Sequence, residues 1–418
     1  LDLHTPLPRL RPLEAFPVHH NGETLIAIRD PYHFSDSILT ISPAAAVIVQ
    51  LLNGQSTLVG IQESLTRATG TMFPSDKILE VIHALDTSFF LENDRFEQHR
   101  QSVIRSFSAA AVRPAHLAGK SYPADPAELR SLLDGLFSQS ARPADPQFRT
   151  STVAGVIAPH IDFSRGGATY VPAYRSLADS SAETFVILGI SHTGGETPLI
   201  VSRKDYQTPL GRAETDRDLA DRLDRNLRGK PGWEDPYRSE ISHAFEHSIE
   251  FQVVFLQYAL RGRPMRILPI LCAFSHEEVQ TELQSGRPGP IGSFLQALAD
   301  AVSESGRRVA YIAGVDFAHV GSQFGDTFPV GQKELAHLRE RDVQMMALLS
   351  ASGSESFHRF IHDESNARRV CGYPAIYSFL SLLPESARRE GQVLKYDQWP
   401  DENGTVTFGS LVFTQPAA

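Results

Sequence analysis

Between Ser151 and Asp316 the chain reads as strand-length apolar runs separated by longer amphipathic stretches. The runs are VAGVIAP (153–159), TFVILGI (184–190), PLIVS (198–202), RILPILC (266–272) and VAYIAGVD (309–316). Helical spacing of apolar positions falls at 216–228, 248–261, 291–305, 331–351 and 374–383. A last strand, TVTFGSLVF (405–413), is expected to pair at a sheet edge. Strands alternating with helices in this way predict a layered αβα domain with a central, mostly parallel or mixed sheet.

The first hundred residues follow another pattern. TLIAIR (24–29) and ILTI (38–41) read as short strands. Ser42-Pro43 then opens a helix, with Ser as N-cap and Pro at the first helical position. Val47, Ile48, Leu51 and Leu52 form its apolar face before Asn53-Gly54 ends it. Helical patterns follow near 57–67 and 75–86, and SFFLENDRF (88–96) has the look of a hairpin. The expected organisation is a small α+β domain over 1–100, a connecting stretch over 101–112, polar then Ala-rich, and the α/β domain over 113–418.

Composition narrows the classes of function. The chain has 418 residues, 41% hydrophobic and 21% charged, which excludes collagen-like and disordered types. A formal charge of −10 argues against broad binding to nucleic acid or anionic membranes. The longest apolar stretch, Ala44 to Leu52, is too short to span a bilayer. Cys272 and Cys371 are the only cysteines. Two distant thiols, with no visible secretory signal, imply a reducing compartment, and the cytoplasm is the expected location.

Three of the strand runs lead into histidine: His160 after VAGVIAP, His192 after TFVILGI-Ser, and His319 three residues beyond Asp316. Ligands and catalytic groups gather at the carboxyl ends of strands in open α/β sheets, so these imidazoles are expected on one rim. Imidazole binds zinc, copper, iron and nickel, and serves as a general base near neutral pH. Cys371 precedes a helix start in RRVCGYPAI, where the helix dipole is expected to favour thiolate. Cys272 ends an apolar run and reads as a small buried hydrophobe. In His243-Ala-Phe-Glu246-His247-Ser-Ile-Glu250, one continuous helix would put His243 and His247 on a common face, and HAFEH also matches the H-x-x-E-H pattern of zinc hydrolases. Asp316, three residues before His319, is placed to orient that imidazole. No P-loop, no G-x-G-x-x-G between strand and helix and no G-x-S-x-G is present, so nucleotide cofactors are not indicated.

Taken in order, eight motifs resemble the Memo family, whose prokaryotic members are called AmmeMemoRadiSam system protein B. They are AGKSYPADPAELRSLL (118–133), APHIDFSRGG (158–167), GISHTGG (189–195), TPLGRAETD (208–216), EHSIEFQVVFLQ (246–257), ILPILC (267–272), DFAHVG (316–321) and CGYPAI (371–376). The N-terminal segment, strands followed by three short helices, has a winged-helix-like outline and resembles PqqD-type domains that recognise peptides. The Memo resemblance implies a fold similar to class III extradiol dioxygenases, in which iron sits on two histidines and one carboxylate. It further implies His160 and His192 as metal ligands and Cys371 as the third, in exchange for the carboxylate. His319 would be the acid/base with Asp316 beside it, and His247 would line the same cleft. Iron(II) is the favoured ion, with copper or zinc also suited to such donors.

The function expected from this resemblance is a metal-dependent, dioxygenase-like oxidoreductase. It would work with a radical-SAM enzyme and a small companion protein on a peptide or small-molecule substrate. Two other readings compete: a non-catalytic adaptor that binds a peptide or ligand in the same cleft, and a zinc hydrolase using His243, Glu246 and His247.

Overall fold

The N-cap read at Ser42 is formed. In the computed structural model of the chain, its hydroxyl accepts from the Ala45 amide at 3.2 Å and Pro43 opens the helix. The structure describes residues 3–20, 22–139, 151–401 and 403–416. It divides into two units, Leu1–Ala109 and Ala110–Ala418.

The first unit holds an antiparallel three-stranded sheet of β1 (Glu14–His20), β2 (Glu23–Arg29) and β3 (Ile38–Ile41). Helices α1 (Pro43–Leu51), α2 (Leu58–Thr69), α3 (Ser75–Thr87) and α4 (Asp94–Ala109) follow. Its core gathers Ile28, Ile48, Leu58, Ile61, Ile78 and Leu85. The expected hairpin at 88–96 is absent: Leu91 makes a single antiparallel bridge to Leu10. The reason is local. The Asn93 side chain accepts from the Phe96 amide at 2.9 Å, the bond of a helix N-cap, and the chain turns into α4. Residues 101–109 therefore lie in the last helix of this unit rather than in an irregular connector. Strand β1 was not visible in the pattern, since Pro17 and the paired His19-His20 interrupt any apolar alternation.

The second unit begins with β4 (Val112–Arg113), α5 (Pro126–Gln139), β5 (Ser151–Ala158), α6 (Phe163–Ala178) and β6 (Thr184–Ile190). Next come β7 (Leu199–Val201), β8 (Asp205–Thr208), β9 (Gly211–Thr215), α7 (Arg217–Leu227) and α8 (His247–Leu260). After β10 (Arg266–Cys272) lie α9 (His276–Ser285), α10 (Pro290–Ser305), β11 (Val309–Gly314) and β12 (His319–Val320). The chain closes with α11 (Gln332–Ala351), α12 (Ser354–Asp363), α13 (Tyr373–Leu382), α14 (Glu385–Arg388), β13 (Gly391–Asp401) and β14 (Gly404–Pro416).

One mixed sheet runs in the order β12-β14-β5-β11-β6-β10-β9-β8-β4, with β13 on β14 and β7 on β10. Its centre, β5-β11-β6-β10, is parallel. Alternate residues of each central strand serve opposite layers. Phe185 and Ile187 of β6 pack with α5, α6 and α8, whereas Val186, Leu188 and Ile190 pack with α7, α10 and α13. Strands covered on both faces read as continuous apolar runs, which is why this part of the fold was legible. Cys272 is fully buried in one of these cores, and burial pushes its thiol up to about 12. The expected edge position of the last strand is not observed. β14 lies inside the sheet, paired with β13 on one side and with β5 and β12 on the other. Among the described residues, no helix is long and apolar enough to cross a membrane.

The parallel register sets up the site. Gly314 is level with Ala158, and Ala313 with Leu188, so the residues that follow β5, β6 and β11 emerge at one rim.

Candidate metal centre

Pro159 ends β5 and delivers His160 into a buried position, 2% exposed. The His160 and Ile161 amides donate to Asp316 Oδ1 at 3.0 and 3.2 Å. His160 Nδ1 lies 3.0 Å from the Gly314 carbonyl. A carbonyl only accepts, so Nδ1 carries the proton and Nε2 presents its lone pair.

His192 and His247 are oriented by one carboxylate. Glu246 lies 3.0 Å from His192 Nδ1 and 3.1 Å from His247 Nδ1, and it accepts the backbone amides of both residues. Both rings thereby donate from Nδ1 and turn Nε2 outward, the carboxylate–histidine arrangement found behind metal ligands. The three ring centroids are 5.0 Å (His160–His192), 5.0 Å (His160–His247) and 4.7 Å (His192–His247) apart. Their ligand atoms all lie within 4.8 Å of one another, so one ion is within reach of the three. His192 and His247 keep 38% and 34% of their side-chain surface, which leaves the cluster open on their side.

The electrostatics follow from this packing. Burial holds His160 well below its ordinary pKa, and the neighbouring His192 and His247 add to the effect. Burial opposes protonation of His192 too, but the Glu246 carboxylate overcomes it and raises that ring. For Glu246 the penalty of burial is outweighed by the His192 and His247 rings, which keep the carboxylate ionised. The cluster therefore pairs neutral-poised imidazole at its buried end with a charge-stabilised carboxylate behind its open end.

Other residues expected at the site take different places. Cys371 Sγ stands 3.4 Å from His160 Nε2, beside the three histidines. It lies one residue outside the Gly372 N-cap of α13, but burial raises its thiol, opposing the expected shift from the helix dipole. Gly372 is obligatory there, since a Cβ would lie 2.6 Å from the Asp316 carbonyl and 2.7 Å from Val315. Asp316 was expected to orient His319. Its carboxylate instead braces the His160 turn, with Oδ2 3.8 Å from His160 Nε2, and burial raises it to about 7. His319 turns Nδ1 toward the Phe317 carbonyl at 3.2 Å, sits edge-on to Phe324, and is pushed down to about 4 by burial.

The H-x-x-E-H pattern does not form a hydrolase site. Residues Glu240–Ala244 make a 3-10 turn, and α8 starts only at His247 with Glu246 as its N-cap, so the two histidines do not share a helix. His243 is fully buried, and both its nitrogens are engaged, by Tyr206 Oη at 2.8 Å and the Ile200 carbonyl at 2.9 Å.

Sequence reasoning missed the supports of this rim. Ser248 Oγ accepts the Ile190 amide at 3.0 Å and so ties α8 to the end of β6. Gln252 Nε2 donates to the Pro159 carbonyl at 2.8 Å and ties α8 to the end of β5. Glu250, wholly buried, pairs with buried Arg113 and with the Tyr122 hydroxyl. Arg113 in turn donates to the carbonyls of His243 and Glu246 at 2.9 Å each. The spacing EHSIEFQ held this signal, but only tertiary contacts reveal which strand each side chain holds.

A mixed αβα sheet with imidazoles from two strand ends and one helix start converging at its carboxyl rim defines an α/β protein with a candidate metal-binding site. Residues 113–410 match the family described as Memo-like protein. A "MEMO1 family protein" of Aquifex aeolicus is 25% identical over 392 residues, covering 92% of this chain and 95% of its own length. A second of that name, from Methanopyrus kandleri, is 32% identical over 310 residues, covering 72% of this chain and 98% of its own. A third, from Methanosarcina mazei, is 29% identical over 294 residues, with 70% and 94% covered. The chain belongs to the Memo family.

Proposed function

We propose that the chain is a metal-dependent oxidoreductase of dioxygenase-like type, in which His160, His192 and His247 hold a redox-active ion. Iron(II) is the favoured occupant, with copper next and zinc as the redox-inert alternative. The observation that carries this reading is the single Glu246 carboxylate bonded to Nδ1 of two imidazoles, with ligand atoms of His160, His192 and His247 all within 4.8 Å of one another. The donor chemistry fits a transition metal: neutral imidazoles suit iron, copper and zinc, and a thiol stands within reach. It departs from the two-histidine, one-carboxylate set, because Glu246 stands behind two of the rings and Asp316, with Oδ2 3.8 Å from His160 Nε2, holds the backbone of the third histidine. A bound iron or copper ion supplies Lewis acidity and redox capacity at this rim.

The protein's own groups divide the remaining work. Glu246 fixes two ring orientations, the Gly314 carbonyl holds the third ring, and Asp316 braces the backbone turn that carries it. His319, neutral above about pH 4, is the acceptor for a substrate proton. The open side at His192 and His247 admits substrate. A radical-SAM enzyme and a small companion protein as partners belong to the same reading, as does peptide recognition by the PqqD-like N-terminal unit. Their support is the motif resemblance of the chain. Metal analysis of full-length protein purified without oxygen tests the centre. One ion per chain is expected, lost on His160→Ala, His192→Ala or His247→Ala, with Cys371→Ala reporting whether the thiol is a fourth ligand. Unchanged metal content in all three histidine variants rejects the site.

A further inference from the structure

The opposite rim of the same parallel sheet carries a second feature. β6, β10 and β11 begin at Thr184, Arg266 and Val309, and a groove of about 1360 Å³ lies at these amino-terminal ends. That exceeds the ~300–1,000 Å³ of ordinary small-molecule sites. Arg261, Arg263 and Arg266 reach it from the RGRPMR loop between α8 and β10. Arg307 and Arg308 come from the turn before β11, Arg130 from α5 and Arg212 from β9. Three carboxylates, Asp134, Glu183 and Glu214, line the groove beside these seven arginines, in a chain whose net charge is −10.

Part of this charge is structural. Arg263 Nη1 donates to the carbonyls of Ala178 and Ser180 at 3.3 and 2.6 Å, capping the carboxyl end of α6, where a cation suits the dipole. Arg212 pairs with Asp205, Arg307 with Asp216 and Asp218, and Arg308 with Glu183. Capping and pairing do not account for the rest. The side chains of Arg130, Arg261 and Arg266 have no ion-pair partner among the described residues, and Arg263 Nη2 is buried without any hydrogen bond. Leu210, Leu260 and Met265 lie between the arginines and give the groove an apolar component.

We propose that this groove binds an acidic peptide segment of a partner protein. Guanidinium forks match carboxylates in paired hydrogen bonds, and the apolar residues between them accept the segment's hydrophobic side chains. The overall charge of −10 disfavours nucleic acid and anionic membrane, which require a broadly basic surface. The groove lies across the sheet from the histidine cluster, so its occupant and the metal are held independently.

Fluorescence anisotropy on the full chain tests this with a fluorescein-labelled peptide of glutamate and leucine. The controls are the same peptide with glutamine for glutamate and a single-stranded DNA of equal charge. The acidic peptide is expected to bind saturably and to weaken as salt rises. Binding should weaken about tenfold in the Arg261→Ala/Arg266→Ala double variant and less in Arg130→Ala. These side chains are exposed and have no ion-pair partner among the described residues, so thermal midpoint and metal content should not move. Equal binding of the glutamine peptide, or unchanged affinity in the double variant, overturns the proposal. Tighter binding of the DNA also overturns it, by assigning the groove to nucleic acid.

Discussion

Glu246 concentrates several roles in one carboxylate. It caps α8 by accepting the His247 and Ser248 amides at 2.8 and 3.0 Å, and it holds Nδ1 of His192 and His247. Neither role depends on the other chemically, so a substitution can separate them. Glutamine keeps one acceptor for the helix amides but replaces the other oxygen with a donor, which repels a ring N–H. Glu246→Gln is therefore expected to cost about 1 kcal/mol of stability through the weakened cap. Metal affinity should fall by about ten- to a hundredfold, the usual effect of removing an outer-shell partner. Competition with a chelator of known affinity measures the second quantity, and urea denaturation of the metal-free protein measures the first. Affinity equal to wild type would show that the rings orient themselves without the carboxylate. His247 itself illustrates what a single chain of letters hides. His160 and His192 are marked by the strand ends that precede them, but His247 joins them only because Glu246 bonds two rings at once.

At the scale of elements, α8 is the part that holds the metal rim together. Ser248 and Gln252 fasten it to the ends of β6 and β5, and Glu250 anchors its first turn to Arg113, ahead of the domain's first long helix. The Arg113–Glu250 pair is fully buried on both sides. Removing one partner leaves an uncompensated charge inside the protein, which typically costs about 3–5 kcal/mol. Glu250→Gln should lower the urea midpoint accordingly and loosen the His243–Glu246 turn, since Arg113 also holds both of those carbonyls. Stability within 1 kcal/mol of wild type would mean that the carbonyls of His243, Pro114 and Glu246 already suffice to hold the Arg113 cation. Much of this architecture is legible in sequence because β5, β6, β10 and β11 are buried on both faces. Helix α6 is not legible in the same way. Gly166, Gly167 and Pro172 break its pattern, yet it forms because those glycines let it pack closely: a Cβ would lie 2.2 Å from Ile161 at Gly166 and 2.7 Å from Leu136 at Gly167. The HAFEH motif misled for a related reason. Spacing cannot tell a continuous helix from a 3-10 turn followed by a capped one, and the difference decides whether two histidines share a face.

For the whole molecule, the two units carry separate cores. Ile28, Ile48, Leu58 and Ile78 close the first, while the two layers around the mixed sheet close the second. The histidine cluster, its Glu246 and Asp316 supports and the arginine groove are all built from residues after Ala110. Two relatives differ in how much of this chain they match. The Methanopyrus kandleri protein is covered over 98% of its own length by only 72% of this chain, so a Memo-family protein of that smaller extent exists. The Aquifex aeolicus protein is covered over 95% by 92% of the chain, which takes in most of the N-terminal unit as well. A domain with its own core and a counterpart of matching length should fold without its neighbour. The segment 110–418, expressed alone, is thus expected to melt in one cooperative transition and to bind the same number of metal ions as the full chain. Thermal denaturation followed by circular dichroism and metal analysis of the purified segment check this together. A non-cooperative melt would make the first unit a structural partner of the second. A cooperative melt with lost metal would instead require the N-terminal unit to complete the centre, which the position of all its donor groups after Ala110 argues against.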